Sequence, residues 1–337
     1  MSEFNSNTPF HAYYVQRHPD AGEIHGSLQS LSTDRLPAGD VIIQVEWSSL
    51  NYKDALAATG NPGVAKTLPH VPGIDAAGRI VETTDSRFHV GQAVIVTGYE
   101  LGAERWGGWS ERIRVPAEWV VPLPEELTLR ETMVLGTAGF TAAQCVRDIL
   151  KFVQPTDGPV AVSGATGGVG CLAVMLLAKL GFEVVASTGK ANAAPWLMQL
   201  GASAVVDRSA LSDDGRKPLL STRWAAAVDT VGGTTLVNLL KSTRVNGAVT
   251  FCGLVAGNQL EMTVFPFILR GVKLLGITSA LCPMPDRVQI WKNLAGPWRL
   301  DGLEEICQEI SLDQVAAQIQ KILAGGVQGR TLIRIAR

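Results

Sequence analysis

Residues Gly158 to Lys190 read GPVAVSGATGGVGCLAVMLLAKLGFEVVASTGK. The apolar run Val160-Ala161-Val162 leads straight into Gly164, Gly167, Gly168 and Gly170. Leu172, Val174, Met175, Leu176, Leu177 and Leu180 then follow in a helical pattern, and Gly181 precedes a second apolar run, Val184-Val185-Ala186. The predicted order is strand, glycine turn, helix, strand.

That order is the unit that cradles a dinucleotide pyrophosphate. Gly164-x-x-Gly167-x-x-Gly170 is a variant of the usual spacing. Glycine is needed where the chain turns with positive φ and where a side chain would strike the phosphates, and the last one lets the helix pack close to the strand. Free N–H groups and the helix dipole then face the anion. Gly167, Gly168, Val169 and Gly170 are the candidate pyrophosphate contacts, with Gly164 and Thr166 also expected at the cofactor. The competing reading is an ordinary strand-to-helix turn with glycines for packing.

The end of the second strand selects the dinucleotide. A carboxylate there would accept from the ribose 2′-OH of NAD(H). This chain has Ser187-Thr188-Gly189-Lys190 instead, and Glu183 sits at the wrong end of the strand. Thr188, Gly189 and Lys190, with Arg208 after the next apolar run, suit a 2′-phosphate, so the expected cofactor is NADPH. Lys190 taken alone is equally well a solvated loop lysine.

Around this unit the chain changes character. The first 125 or so residues read as short strands and turns, with Val41, Ile43, Val45 and Trp47 on one strand face. From about Leu127 to Ala280 apolar runs at 160–162, 184–186, 204–206, 225–228, 248–251 and 274–277 alternate with helical segments. They predict a six-stranded parallel sheet with helices on both faces. A last strand-like run, Thr331 to Ile335, is expected to return to the first domain. The expected domains are 1–127 with 281–337, and 128–280.

Composition narrows the function classes. The 337 residues are 46% hydrophobic and 18% charged, with a net charge of -2. Such a balance gives no footprint for nucleic acid or an anionic membrane. No apolar run is long enough to span a bilayer, and the N-terminus lacks signal-peptide character, so a cytoplasmic location is expected. The five cysteines (Cys145, Cys171, Cys252, Cys282, Cys307) form no C-x-x-C pair and none stands at ligand spacing from a histidine. No disulfide framework and no metal are expected.

A mid-chain glycine unit preceded by a β-rich domain resembles the medium-chain dehydrogenase/reductase superfamily. The resemblance sharpens in Trp47-Ser-Ser-Leu-Asn-Tyr-Lys-Asp-Ala-Leu56, Pro72-Gly-Ile-Asp75, Trp106-Gly-Gly-Trp109, Gly136-Thr-Ala-Gly-Phe-Thr-Ala142, Asp229-Thr-Val-Gly232, Pro266-Phe-Ile-Leu-Arg270 and Gln328-Gly-Arg-Thr-Leu332. Together these are similar to the acryloyl-CoA reductase family, many of whose members carry the label of quinone oxidoreductase. The resemblance covers the chain apart from about its first ten residues.

It implies an α/β fold, with a doubly wound Rossmann sheet and a β-rich GroES-like catalytic domain. It also implies a zinc-free, NADPH-dependent reduction of the C=C bond of acryloyl-CoA to propanoyl-CoA. Zinc-dependent relatives have a cysteine within the segment matching Ser49–Asp54 and Gly-His-Glu near Gly73-Ile74-Asp75; this chain has neither. Hydride goes to the β carbon, charge develops on the thioester oxygen and the α carbon takes a proton.

Tyr52 is the candidate donor and also a nicotinamide-side contact, and Asn51 orients ribose or substrate. Asp54 is equally well a helix cap. Thr141 is expected at the nicotinamide amide, Leu254, Ile268 and Ser279 along the cofactor groove, and Arg330 on a phosphate of NADPH or CoA. The expected partners are a small molecule, a CoA thioester, and a second copy of the chain in a homodimer. Two other readings remain: an NADPH-dependent quinone or enone reductase, and an NADPH-binding protein with a structural or regulatory role.

Overall fold

The structure is a computed structural model, and it describes residues 8–18, 22–212 and 217–335. The chain divides into two compact units. The first takes the described residues up to Thr137, Ala280–Ala295 and those from Gly302 onward; the second takes Ala138–Ser279 and Gly296–Asp301. The first junction thus falls at Thr137 rather than Leu127. The physical marker is Gly136, whose backbone (φ 51°, ψ −157°) interrupts a helical run.

In the first unit, β1 (Pro9–Arg17) and β2 (Ile24–Ser32) form an antiparallel hairpin. The strand β3 (Val41–Leu50) leads into the short helix α1 (Tyr52–Ala58). Then come β4 (Asp75–Thr83), β5 (Ala93–Thr97), β6 (Arg112–Val115), β7 (Val121–Pro122) and α2 (Leu129–Ile149), whose later part belongs to the second unit. Ile42, off the face that carries Val41 and Ile43, is as buried as they are, and all three share a core with Phe10, Tyr13 and Tyr14 of β1. A strand covered on both sides reads as a continuous apolar run, which Val41-Ile42-Ile43 is.

The second unit runs β8 (Val160–Val162), α3 (Gly168–Lys179), β9 (Val184–Thr188), α4 (Ala194–Gln199), β10 (Ala204–Asp207), β11 (Trp224–Asp229), α5 (Gly233–Ser242), β12 (Thr243–Phe251), α6 (Phe265–Arg270) and β13 (Lys273–Gly276). All six strands are parallel, in the order β10-β9-β8-β11-β12-β13. The order reverses between β8 and β11, and such a switch point is where open parallel sheets bind ligands.

The chain then returns to the first unit with α7 (Met284–Ala295), β14 (Cys307–Ser311), α8 (Val315–Leu323) and β15 (Arg330–Arg334). As expected, the last strand joins the first unit: β15 pairs antiparallel with β3, setting Thr331 opposite Leu50. The sheet has seven strands, ordered β14-β15-β3-β4-β5-β7 with β6 on β3. Among the described residues no helix is long and apolar enough to cross a membrane.

Candidate functional site

The glycine turn after β8 divides its labour. Gly164 has φ +57°, and Gly170 packs so closely on the Gly164 carbonyl that a Cβ there would overlap it. The fold itself requires glycine at both positions. Gly167 differs: its φ is −79°, and a Cβ would meet only the Gly164 oxygen, at 3.3 Å. Its own N–H is spent on Gly164 O (2.9 Å), so the donors that α3 leaves over are those of Gly168, Val169 and Gly170. These amides at the start of a twelve-residue helix fit a pyrophosphate.

The switch point is tied together by the motif Asp229-Thr230-Val231-Gly232. Ser163 Oγ donates to Asp229 Oδ1 (2.5 Å), Gly232 N donates to Asp229 Oδ2 (2.7 Å), and Thr230 N donates to Ser163 Oγ (2.9 Å). Burial pushes the Asp229 carboxyl upward, and the Ser163 and Gly232 bonds oppose that shift. This brace holds the ends of β8 and β11 together beside the glycine turn.

At the end of β9 the structure brings Thr188, Gly189 and Arg208 together. The Arg208 side chain lies across Gly189, where a Cβ would sit 2.9 Å from its Cδ and Nε. The Lys190 amide donates to Thr188 Oγ1 (3.1 Å), and Thr166 Oγ1 is 3.4 Å from Thr188 Oγ1. The sequence reading passed over Asp207, which pairs in register with Thr188. Bonds from the Ser209 hydroxyl and from Ser209 N (2.9 Å), in that order of weight, hold its carboxyl below the usual range.

A cavity of about 650 Å³ opens at the far ends of β11–β13, lined by Gly232, Phe251, Cys252, Leu254, Leu260 and Thr278 among others. It takes in Leu254 but not Ile268, which stands 67% exposed on α6, nor Ser279, which is half-buried just beyond Thr278. Thr141 is buried in α2.

The first unit contains a buried polar network at the join of β3 and α1. Asp75 begins β4 fully buried. Its Oδ2 accepts from Ser49 Oγ (2.6 Å), Asn51 Nδ2 (2.8 Å) and Thr137 N (3.0 Å), and its Oδ1 accepts from Thr137 Oγ1 (2.6 Å). Asp54 is also fully buried; its Oδ2 accepts from Asn51 N (2.8 Å) and Asn51 Nδ2 (3.0 Å), and its Oδ1 from Ile74 N (2.7 Å). Asp54 is thus a cap for α1 as well as a member of the network. Burial first, and then the neighbouring Asp75 charge, push its pKa up to about 7.

Arg330 completes the network. It is only 3% exposed; Nε donates to Val134 O (2.8 Å) and Nη1 to Asn51 Oδ1 (3.0 Å). This is no surface arginine. Gly136 makes room for the cluster, since a Cβ there would lie 2.6 Å from Asp75 Oδ2 and 2.9 Å from Arg330 Nη2. Trp109 Nε1 donates to Ser49 O (3.0 Å), and Gly107 and Gly108 press on the backbone of Gly73 and Asp75. The Trp106–Trp109 motif therefore backs the network rather than joining it.

Asn51 emerges with both amide hydrogens committed to carboxylates. Tyr52, the next residue, is 42% exposed, and its hydroxyl makes no hydrogen bond among the described residues. Among those residues no group of three or more His, Cys, Asp or Glu is placed to hold a metal ion.

Comparison with known proteins agrees with this architecture. Profiles described as alcohol dehydrogenase GroES-like domain and zinc-binding dehydrogenase match residues 37–125 and 168–293. The "Putative quinone oxidoreductase YhfP" of Bacillus subtilis is 44% identical over 98% of this chain and 100% of its own. The chain belongs to the medium-chain dehydrogenase/reductase family. A crystal structure of YhfP with NAD bound superposes with a TM-score of 0.94, at 43% identity over 97% of this chain and 99% of that one. Acrylyl-CoA reductase AcuI of Ruegeria pomeroyi, another member, is 40% identical over 97% of this chain and 99% of its own. The yhdH oxidoreductase of Salmonella enterica, crystallised with NADP, gives a TM-score of 0.93 at 41% identity, covering 97% of this chain and 100% of that one.

Proposed function

We propose that this chain reduces the C=C bond of acryloyl-CoA to propanoyl-CoA with NADPH. The observation that carries this reading is the full-length identity to a named acrylyl-CoA reductase. The cofactor assignment is supported by the Thr188–Gly189–Arg208 cluster, where no carboxylate ends β9. Gly168, Val169 and Gly170 hold the pyrophosphate through their amides, and Gly164, Thr166 and Gly167 shape its approach. Thr188, Gly189, Lys190 and Arg208 surround the 2′-phosphate. Thr141 serves the nicotinamide amide, and Leu254, Ile268 and Ser279 line the cofactor groove.

NADPH, when bound, supplies hydride to the β carbon of the alkene. The protein's share is to stabilise the enolate oxygen and to deliver a proton to the α carbon. Tyr52 takes that part: it is accessible and has a hydroxyl to give, whereas Asn51 has no amide hydrogen to spare. Asn51 keeps one role open, because its Oδ1 can accept one bond besides that of Arg330. Arg330 acts from within as the holder of Asn51. The chain works in the cytoplasm as a homodimer, whose two sheets join along β13, a strand that pairs only with β12 among the described residues.

The second reading is reduction of quinones or enones, favoured by the name of YhfP. Steady-state kinetics decide between them. The proposal expects NADPH oxidation with acryloyl-CoA at a kcat/KM at least tenfold above that with a simple benzoquinone; turnover of the quinone alone would overturn it. Light scattering at micromolar concentration checks the dimer, and a monomer mass would exclude it.

A further inference from the structure

The first unit's network holds more polar chemistry than a helix cap requires. Asp75 has four donor atoms on its two oxygens: Ser49 Oγ, Asn51 Nδ2, Thr137 N and Thr137 Oγ1. They come from two places that the chain sequence keeps far apart: the end of β3, and the turn at Gly136–Thr137. Hydrogen bonds to a carboxylate are among the stronger ones in a protein, and a buried carboxylate stripped of them becomes a net cost.

The consequence falls on Asn51. Its two amide hydrogens go to Asp75 and Asp54, and its oxygen faces Arg330. Turning the amide over would set its NH2 group against the Arg330 guanidinium and its oxygen against two carboxylates. The side chain therefore has one orientation. Asn51 is also the residue that opens α1, with its backbone N–H held by Asp54. Fixing Asn51 at its side chain and its backbone fixes where Tyr52 begins the helix.

We infer that Asp75 is a positioning residue for the reduction: by holding Asn51, Ser49 and the Gly136–Thr137 turn, it sets the place of the Tyr52 hydroxyl. This rests on the reading of Tyr52 as the donor to the enolate. The two carboxylates have different parts. Asp54 holds the helix start from inside α1 and from Ile74. Asp75 holds the same residue from outside the helix, and it alone reaches the turn at Thr137.

The test is a mutant cycle between Asp75→Asn and Tyr52→Phe, assayed with NADPH and acryloyl-CoA, with NADPH binding followed by fluorescence. Each single variant is expected to lose kcat, by about 100-fold for Asp75→Asn, with NADPH affinity within threefold of the parent. The double variant should be no slower than the slower single one, because a displaced hydroxyl and a missing one cost the same step. Losses that multiply in the double variant would overturn the inference, as would a fall in NADPH affinity that accounts for the whole loss. A parent enzyme that does not reduce acryloyl-CoA overturns the proposed function instead. A Tyr52→Phe variant with full kcat overturns both the donor role and the positioning. If Asp75→Asn does not fold, Ser49→Ala replaces it: it removes one donor and leaves Asp75 the other three. About a tenfold loss of kcat is expected, again without further loss in combination with Tyr52→Phe, and a multiplicative loss overturns the inference.

Discussion

After β8, Gly168, Val169 and Gly170 turn their amides outward from the start of α3, with no protein acceptor in the helix to take them. Under Asn51, Ser49, Asp54, Asp75, Thr137 and Arg330 spend their polar atoms largely on one another. One region leaves three amides without an acceptor in the helix; the other ties most of its polar atoms together and has the exposed Tyr52 at its edge. The difference follows from what each must hold. A pyrophosphate brings its own charge and can be met by uncharged N–H groups. A side chain proposed to act at one atom needs a rigid mount, and a densely bonded buried network suits that task.

The comparison breaks most visibly at the glycines. Gly170→Ala should cost about 2–3 kcal/mol of stability, because its Cβ would overlap the Gly164 carbonyl oxygen and backbone must move. Gly167→Ala should leave stability unchanged or raise it slightly, since φ −79° suits alanine and only one atom comes near. Its loss should appear in NADPH affinity, where the new methyl occupies the approach of the phosphates. Urea unfolding and NADPH titration of both variants separate the two effects. A Gly167→Ala protein with unchanged NADPH affinity would remove that residue from the site.

The same contrast decides how much could be read from the chain. Gly164 to Gly170 lie close together in the sequence, so spacing alone carried the expectation of a pyrophosphate turn, and six apolar runs preceded six observed strands. The polar network joins residues 49, 51, 54, 75, 137 and 330: the pairing of β15 and β4 with β3 brings 330 and 75 to the end of β3, and α2 supplies 137. Its motifs stood out as resemblances, but nothing in their spacing said that Asp75 would accept from Thr137. Arg330 was expected on a phosphate; the structure turns two of its nitrogens to Val134 and Asn51. The junction near Leu127 shifted to Thr137 because a glycine inside a helical pattern gives no hint that it will adopt φ 51° to clear a carboxylate.

A buried network with two carboxylates should also respond to pH, as the open loop should not. Asp54 has its pKa raised to about 7 in the folded chain against 3.8 as the ordinary value. The folded state then binds the proton more tightly than the unfolded one. Its contribution is most favourable below about pH 4 and is lost as pH rises through 7, with a slope of at most about 1.4 kcal/mol per pH unit. In Asp54→Asn that slope should vanish from urea unfolding curves taken between pH 4 and 7. A variant whose stability falls with pH as steeply as the parent's would place the titrating group elsewhere.

The smallest effect is expected at the edge of the open region, where Arg208 lies over Gly189 on an exposed surface. A single exposed cation facing a phosphate contributes modestly, so Arg208→Ala should raise the KM for NADPH about tenfold, or about 1.4 kcal/mol. The KM for NADH should stay within twofold, because that cofactor brings no charge to this place. Raising the salt concentration should weaken NADPH binding in the parent more than in the variant, since screening acts on the same contact. Equal losses with both cofactors would mean that Arg208 supports the loop and not the 2′-phosphate. The choice of NADPH would then rest on Thr188 and Lys190, and Lys190→Asp would have to carry the discrimination instead.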